Sequence, residues 1–164
     1  MGRLSERGFT LIELMVTLVV AAILLSIAVP NFSDMTLGSK LSSSANALVA
    51  GAQVARSEAI KRNAVVSLCA SSDGASCSAS AEWEEGWIVL SGGTVVMAEK
   101  AASSGLRISS AVKRLEFQPS GVGSTQAALT VCRLTPYPGS QERVVTFSAT
   151  GRASVSKTTT GSCS

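Results

Sequence analysis

One carboxylate, Glu13, stands near the start of an otherwise apolar run, RGFTLIELMVTLVVAAILLSIAVP (residues 7–30). Inside an apolar layer a carboxylate costs about 2.5–3.5 kcal/mol even on the lenient insertion scale, and it reads by default as functional and in need of a partner. Few other groups in the chain are equipped for chemistry. There is no histidine, so the commonest general base and metal ligand is absent. Glu82, Glu84 and Glu85 cluster with Trp83 and Trp87, and consecutive acids of this kind read as a solvated loop rather than an acid–base pair. The four cysteines, Cys69, Cys77, Cys132 and Cys163, contain no C-x-x-C pair, so a zinc site would have to draw on scattered thiolates. An even count behind an apolar N-terminus points instead to disulfides in an oxidising compartment. These residues imply no catalytic group, no metal and no cofactor, and the chain reads as a non-enzyme.

The elements that must position these groups are legible in the hydrophobic pattern. Leu14 to Ser33 carries no formal charge, and about 20 such residues span roughly 30 Å as a helix, the thickness of a hydrocarbon core. A secretory signal is one reading, with Ser26-Ile27-Ala28 as its small-x-small site, but Glu13 and the length of the run fit it poorly. A plain membrane anchor is a second, with Arg3 and Arg7 holding the N-terminus in the cytoplasm. Beyond the run, Leu37, Leu41, Ala45, Leu48, Ala52, Ala55, Ala59 and Ile60 recur every three or four residues as an apolar helical stripe. Lys40, Ser44, Gln53, Ser57 and Lys61 take the opposite face. Pro30 is expected to kink or locally melt this helix, and Asn63 to stop it. A helix from Phe9 to Arg62 would be roughly 80 Å long. The small residues between Ser42 and Ala59 read as close packing of helix on sheet.

The remainder reads as short strands with Gly, Ser and Pro punctuation: Ala64–Ala70, Gly86–Ser91, Thr94–Glu99, Leu106–Ser110, Arg114–Gln118, Ala128–Leu134, Arg143–Ser148 and Ala153–Lys157. One long helix followed by strands argues an α+β fold, with a mainly antiparallel sheet packed on the helix.

Gly8-Phe9-Thr10-Leu11-Ile12-Glu13, behind a basic leader and ahead of the uncharged run and Pro30, resembles the processing motif of the type IV pilin superfamily. The resemblance implies cleavage between Gly8 and Phe9 by a prepilin peptidase and methylation of the new Phe9 amine. It also implies that Glu13 pairs with the N-terminal amine of a neighbouring subunit during filament assembly, with Pro30 in the same assembly segment. A buried carboxylate becomes tolerable when a cation compensates it. The implied organisation is a leader at 1–8, a transmembrane and filament-core helix at 9–33, and a periplasmic head at 34–164. The head comprises the later helix at 34–62 and a β-rich part at 63–164. Before assembly the protein would cross the inner membrane once, and afterwards it would lie in an extracellular pilus.

Ala55-Arg56-Ser57-Glu58-Ala59-Ile60-Lys61-Arg62, Val66-Ser67-Leu68-Cys69, Gly86-Trp87-Ile88-Val89, Phe117-Gln118-Pro119-Ser120-Gly121 and Ser148-Ala149-Thr150-Gly151-Arg152 are similar to the GspH/FimT/FimU group of that superfamily. Its pilus members, FimU above all, are the more similar. The group implies a minor pilin that helps initiate a type IV pilus serving twitching motility and adhesion. Its partners would be other minor pilins, the major pilin and the peptidase. The alternatives within the group are a DNA-binding minor pilin for natural transformation and a type II secretion pseudopilin. Charge bears on the DNA reading. Residues 34–99 carry four Lys/Arg against seven Asp/Glu, whereas residues 100–164 carry eight against two. A basic half is a possible electrostatic footprint for nucleic acid. The group's DNA receptors use Gly-Arg-x-Arg, and here Gly151-Arg152-Ala153-Ser154 lacks the second arginine. Arg152 with Lys157, Arg143 and Arg133 is therefore a candidate set that is not favoured.

Four cysteines allow three pairings. Cys69 and Cys77 flank a turn-rich stretch, and Cys132 with Cys163 would tie down a C-terminal tail. Cys69–Cys77 and Cys132–Cys163 are the expected bridges, the second with the added support of related minor pilins.

Overall fold

A computed structural model of the chain describes residues 8–134, 141–158 and 163, with the backbone alone over residues 27–34. The leader residues Arg3, Glu6 and Arg7 lie outside the described residues. Helix α1 spans Leu11–Arg62, and the chain divides within it, between Leu37 and Gly38, into two compact units.

The N-terminal unit is the first part of α1. Its apolar side chains from Leu11 to Leu25 stand 50–76 % exposed, all round the helix. The backbone stays helical through Pro30, so the expected local melting does not occur. A proline deletes one i→i−4 hydrogen bond, and flanking helix of this length outlasts a single missing bond. The Pro30 side chain lies outside the described residues. Among the described residues no helix is long and apolar enough to cross a membrane. The described side chains of the apolar run end at Ser26, short of the about 20 residues a bilayer requires.

The second unit begins with the rest of α1. Leu41, Ala45, Leu48, Ala52, Ala55 and Ala59 are buried at every third or fourth position. Ile60 breaks the expected stripe and is 52 % exposed. Ile60 stands about 100° round the helix from buried Ala59, which carries it to the rim of the inner face beside the Gly121 turn. The helix ends in a Schellman turn. Asn63 adopts φ +48°, its N–H donates to Ile60 O at 3.4 Å, and the Ala64 N–H donates to Ala59 O at 3.3 Å. Lys61 and Arg62 in the last turn complement the helix dipole and both pair with Glu58.

The strands are β1 (Val66–Ala70), β2 (Gly86–Ser91), β3 (Thr94–Lys100), β4 (Leu106–Ser109), β5 (Arg114–Phe117), β6 (Ala127–Arg133), β7 (Glu142–Phe147) and β8 (Ala153–Thr158). Each lies within about two residues of its expected span, the usual uncertainty of element ends. They form not one sheet but two antiparallel four-stranded sheets, ordered β3-β2-β1-β5 and β4-β6-β7-β8. After β3 the chain leaves the first sheet, because β4 pairs with β6 rather than with β3. One face of each sheet, Val66, Leu68, Val89, Leu115 and Phe117 in the first and Leu106, Ile108, Leu129, Val131, Val145 and Phe147 in the second, is buried in the same unit as the α1 stripe. Gly51 admits the first sheet: a Cβ there would stand 2.5 Å from the Trp87 ring.

The acidic cluster is only partly solvated. Trp83–Glu85 is a single 3-10 turn, with the Trp83 ring buried and its Nε1 donating to Val112 O at 2.7 Å. Glu82 pairs with Lys113 at 2.6 Å, and Glu84 Oε2 accepts the Ile108 N–H at 3.2 Å. These acids tie the turn to the segment around β4.

Candidate functional site

Gly8 and Phe9 precede the helix in non-helical, exposed backbone, and no atom lies within 4 Å of where a Gly8 Cβ would stand. An extended, uncrowded backbone is what a peptidase needs at a cut site. Thr10 is the helix N-cap. Its N–H and its Oγ1 both donate to Glu13 Oε2, at 3.0 and 2.9 Å, and the Glu13 N–H donates back to Thr10 Oγ1 at 3.3 Å. This is a capping box, in which Thr-x-x-Glu satisfies otherwise orphaned donors of the first turn from both ends. Glu13 thus has local partners within its own chain, through one carboxylate oxygen. The family resemblance assigns Thr10 no role, yet its spacing to Glu13 is the capping-box signature.

Three of the four basic candidates, Arg133, Arg143 and Lys157, fall at one end of the second sheet, and Arg152 stands apart from them. Arg143 shares a face of β7 with buried Val145 and Phe147, and its Nε donates to Ser42 Oγ of α1 at 3.2 Å. A second guanidinium nitrogen, Nη1, donates to the Glu142 carbonyl at 3.1 Å. Lys157 lies opposite Arg143 in the β7–β8 register and is exposed. Arg133, half-buried, ends β6 two residues beyond Val131, which pairs with Arg143. Arg152 is exposed in the β7–β8 turn, at the other end of the hairpin and about 16 Å along β8 from Lys157 at 3.3 Å per residue. That turn is held by Ser148 N–H to Arg152 O at 3.0 Å and by Arg152 N–H to Ser148 Oγ at 3.2 Å. Gly151 (φ +72°) packs directly on the Gly121 carbonyl, so the 117–121 and 148–152 segments form one backbone-to-backbone junction between the sheets. A side chain at Gly151 would collide with that carbonyl.

The cysteines pair as Cys69–Cys77 and Cys132–Cys163, with Cα–Cα distances of 5.5 and 6.3 Å. The first bridge closes a loop organised by Asp73. Its Oδ1 accepts from Ala75 N–H at 2.8 Å, Ser76 N–H at 2.9 Å and Ser71 Oγ at 2.9 Å, and its Oδ2 from Ser76 Oγ at 2.7 Å. Those bonds, the Ala75 amide foremost, hold the Asp73 carboxyl well below the usual range. The second bridge lies over Glu142, which is buried and accepts from Thr158 Oγ1 at 3.1 Å and from Cys163 N–H at 3.4 Å. These two contacts carry no local sequence signal, because they reach 16 and 21 residues along the chain. Among the described residues no cluster of His, Cys, Asp and Glu could hold a metal.

Comparison with known proteins follows the same division of the chain. A family model described as type II transport protein GspH matches residues 44–151, and one described as a prokaryotic N-terminal methylation motif matches residues 3–29. No curated protein is a significant match. Two crystal forms of the type IV minor pilin FimU of Pseudomonas aeruginosa are similar in structure. One has a TM-score of 0.58 at 23% identity, covering 72% of this chain and 89% of that one. The other has a TM-score of 0.54 at 25% identity, covering 71% and 92%. The minor pseudopilin EpsH from the type 2 secretion system of Vibrio cholerae shares the fold, with a TM-score of 0.51 at 14% identity over 72% of this chain and 97% of that one.

Proposed function

The chain belongs to the GspH family, within the type IV pilin superfamily, and from that premise we propose that it is a minor pilin of a type IV pilus that helps prime assembly and enters the filament. Its class, minor pilin or pseudopilin, follows from the family; the pilus role is the finer step. The observation that carries this step is the 25% identity with FimU across 92% of that chain, against 14% with EpsH. In this reading the chain is a structural subunit rather than an enzyme. Its partners are other minor pilins, the major pilin and the prepilin peptidase.

Physical support comes from the N-terminal unit. A helix with apolar side chains exposed all round is unstable in water and calls for lipid or neighbouring helices. A filament supplies neighbours after a bilayer has supplied lipid. Cleavage after Gly8 would create a cation at Phe9, and Glu13 uses only Oε2 in its capping box among the described contacts. Its carboxylate therefore keeps capacity for the amine of a neighbouring subunit. A type II secretion pseudopilin is the second reading, favoured by the description of the matched family itself.

One deletion strain separates the two. Loss of surface pili and twitching with intact protein secretion is the expected result. Loss of secretion with normal pili would transfer the chain to the secretion machinery. Intact-mass analysis of the membrane-extracted protein checks processing, with a start at methylated Phe9 expected. A start after Ala28 would mean an ordinary secretory signal.

A further inference from the structure

The second unit begins at Gly38, five residues after Ser33, where the uncharged run ends. Cations surround its first turns of α1. On one side, Arg143 Nε donates to Ser42 Oγ at 3.2 Å, and a Cβ on Gly38 would stand 3.3 Å from Gln141 Oε1, so the start of β7 packs on these turns. The sheet register adds two more on the same face. Lys157 lies opposite Arg143, and Arg133 stands two residues beyond Val131, which also pairs with Arg143. On the other side, Lys40 and Lys100 line one cleft of about 360 Å³ together with Ser39 and Ser43.

This charge is not balanced where it stands. Lys40, Lys100 and Lys157 are exposed, and among the described residues none of the five cations is in an ion pair. Arg143 is fixed by Ser42 Oγ and the Glu142 carbonyl, both neutral oxygens. Of the acids beside them, Glu142 is buried and bonded to Thr158 and Cys163, and Glu84 accepts the Ile108 N–H. Glu99 is exposed in the cleft. Like charges gathered at one end repel one another and call for an anionic partner. A nucleic acid is met by cations in file, whereas cations grouped around a helix meet a surface end-on. In the pilin reading the uncharged run lies in a bilayer. The helix rises only about 7.5 Å from Ser33 to Gly38, within one Debye length at physiological salt.

We propose that the end of the head bearing Lys40, Lys100, Arg133, Arg143 and Lys157 docks on the anionic phospholipid surface of the membrane that holds the subunit before assembly. Each Lys or Arg beside such a surface strengthens attachment about fivefold. The bilayer as partner rests on the membrane-anchored pilin reading above; the grouping of cations does not.

The test places the full-length chain in nanodiscs of phosphatidylcholine alone, or of phosphatidylcholine and phosphatidylglycerol in equal parts. Acylation rates of individual lysines are then read by mass spectrometry. Lys61, about 32 Å further along α1 than Lys40, is the internal control. In the anionic discs Lys40, Lys100 and Lys157 should react at least about fivefold more slowly than in the neutral ones, with Lys61 unchanged. Added salt should abolish the difference. Lys157→Glu should restore the rates at Lys40 and Lys100, and Lys100→Glu those at Lys40 and Lys157. Both positions are exposed and on edge strands, β8 and β3, so the two variants test the surface independently. Equal rates in the two lipids overturn the proposal. So does protection that persists in both variants, which would be the reach of the surface potential without docking. Protection by duplex DNA but not by anionic lipid overturns it as well. Failure of the pilin reading appears separately, as a chain that enters nanodiscs of neither composition, and the proposal falls with it.

Discussion

At the scale of single residues, Glu13 and Asp73 show a carboxylate put to two uses. In the capping box, Thr10 holds Glu13 Oε2 with two donors and receives one in return. Thr10→Val should fray the first turn at a cost of about 1 kcal/mol, read as faster amide exchange at Leu11–Leu14 in micelles, and Thr10→Ser should restore protection. Glu13→Ala should insert into membranes as well as wild type or better, because a charge leaves the apolar layer. It should nevertheless be depleted from sheared filaments. Normal incorporation would sink the pairing of Glu13 with a neighbour's amine. Asp73 organises a loop outside any apolar layer, and its folded-state pKa is depressed by the Ala75 and Ser76 amides. Its stabilising contribution is therefore present above the unfolded value of about 3.9 and declines as pH falls toward the lower folded value. The stability gap between wild type and Asp73→Ala, measured by denaturant titration, should be full at neutral pH and shrink as pH falls below about 4. A gap that widened in acid would refute the hydrogen-bonded carboxylate.

At the scale of elements, the two disulfides constrain different lengths of chain. Cys132 and Cys163 are 31 residues apart, Cys69 and Cys77 only 8. The chain-entropy model assigns about 3.7 kcal/mol to the longer closure and about 2.5 to the shorter. Cys163→Ser should accordingly lower the melting temperature further than Cys77→Ser. It also releases the Cys163 amide from buried Glu142, adding the cost of a weakened buried acceptor. Equal losses would show that strand pairing, rather than the bridge, holds the end of the second sheet. Helix and sheet meet with similar economy of space at Gly51. Gly51→Leu should force the Trp87 ring aside and cost roughly 1–3 kcal/mol, visible as a lowered thermal midpoint.

At the scale of the whole molecule, charge is distributed in a way that weakens the nucleic-acid reading. Four Lys/Arg stand against seven acids in residues 34–99, and eight against two in residues 100–164. Of the candidate cations, Arg133, Arg143 and Lys157 share one end of the second sheet, but not all of them are available. Arg143 is committed to Ser42 and the Glu142 carbonyl, and Arg152 stands at the far end of its hairpin from Lys157. A phosphate track needs several cations in file, and its signature is a steep fall of affinity with salt. The detergent-solubilised chain should bind duplex DNA weakly, with a shallow salt slope that Arg152→Gln leaves unchanged. A steep slope flattened by Arg152→Gln would restore the DNA reading.

What the sequence determined by itself is what short spacings encode. The apolar run, the stripe from Leu41 to Ala59, the stop at Asn63 and the strand spans all depend on residues a few positions apart, where helix and strand periods are written. Thr10-x-x-Glu13 belongs to the same class, since both members of the box lie within one turn. Only the tertiary structure decided which strands are neighbours. β4 abandons β3 for β6, making two sheets of an expected one, because pairing is chosen between segments whose separation carries no local mark. The same holds for single groups. Arg143 reads as a free surface cation until Ser42, 101 residues earlier, is placed against it. Arg56 reads as one more charge on a helix until the Gly121 turn closes over its Nε and supplies no acceptor. Desolvation and partnership are properties of the assembled surroundings, and those surroundings come from distant parts of the chain.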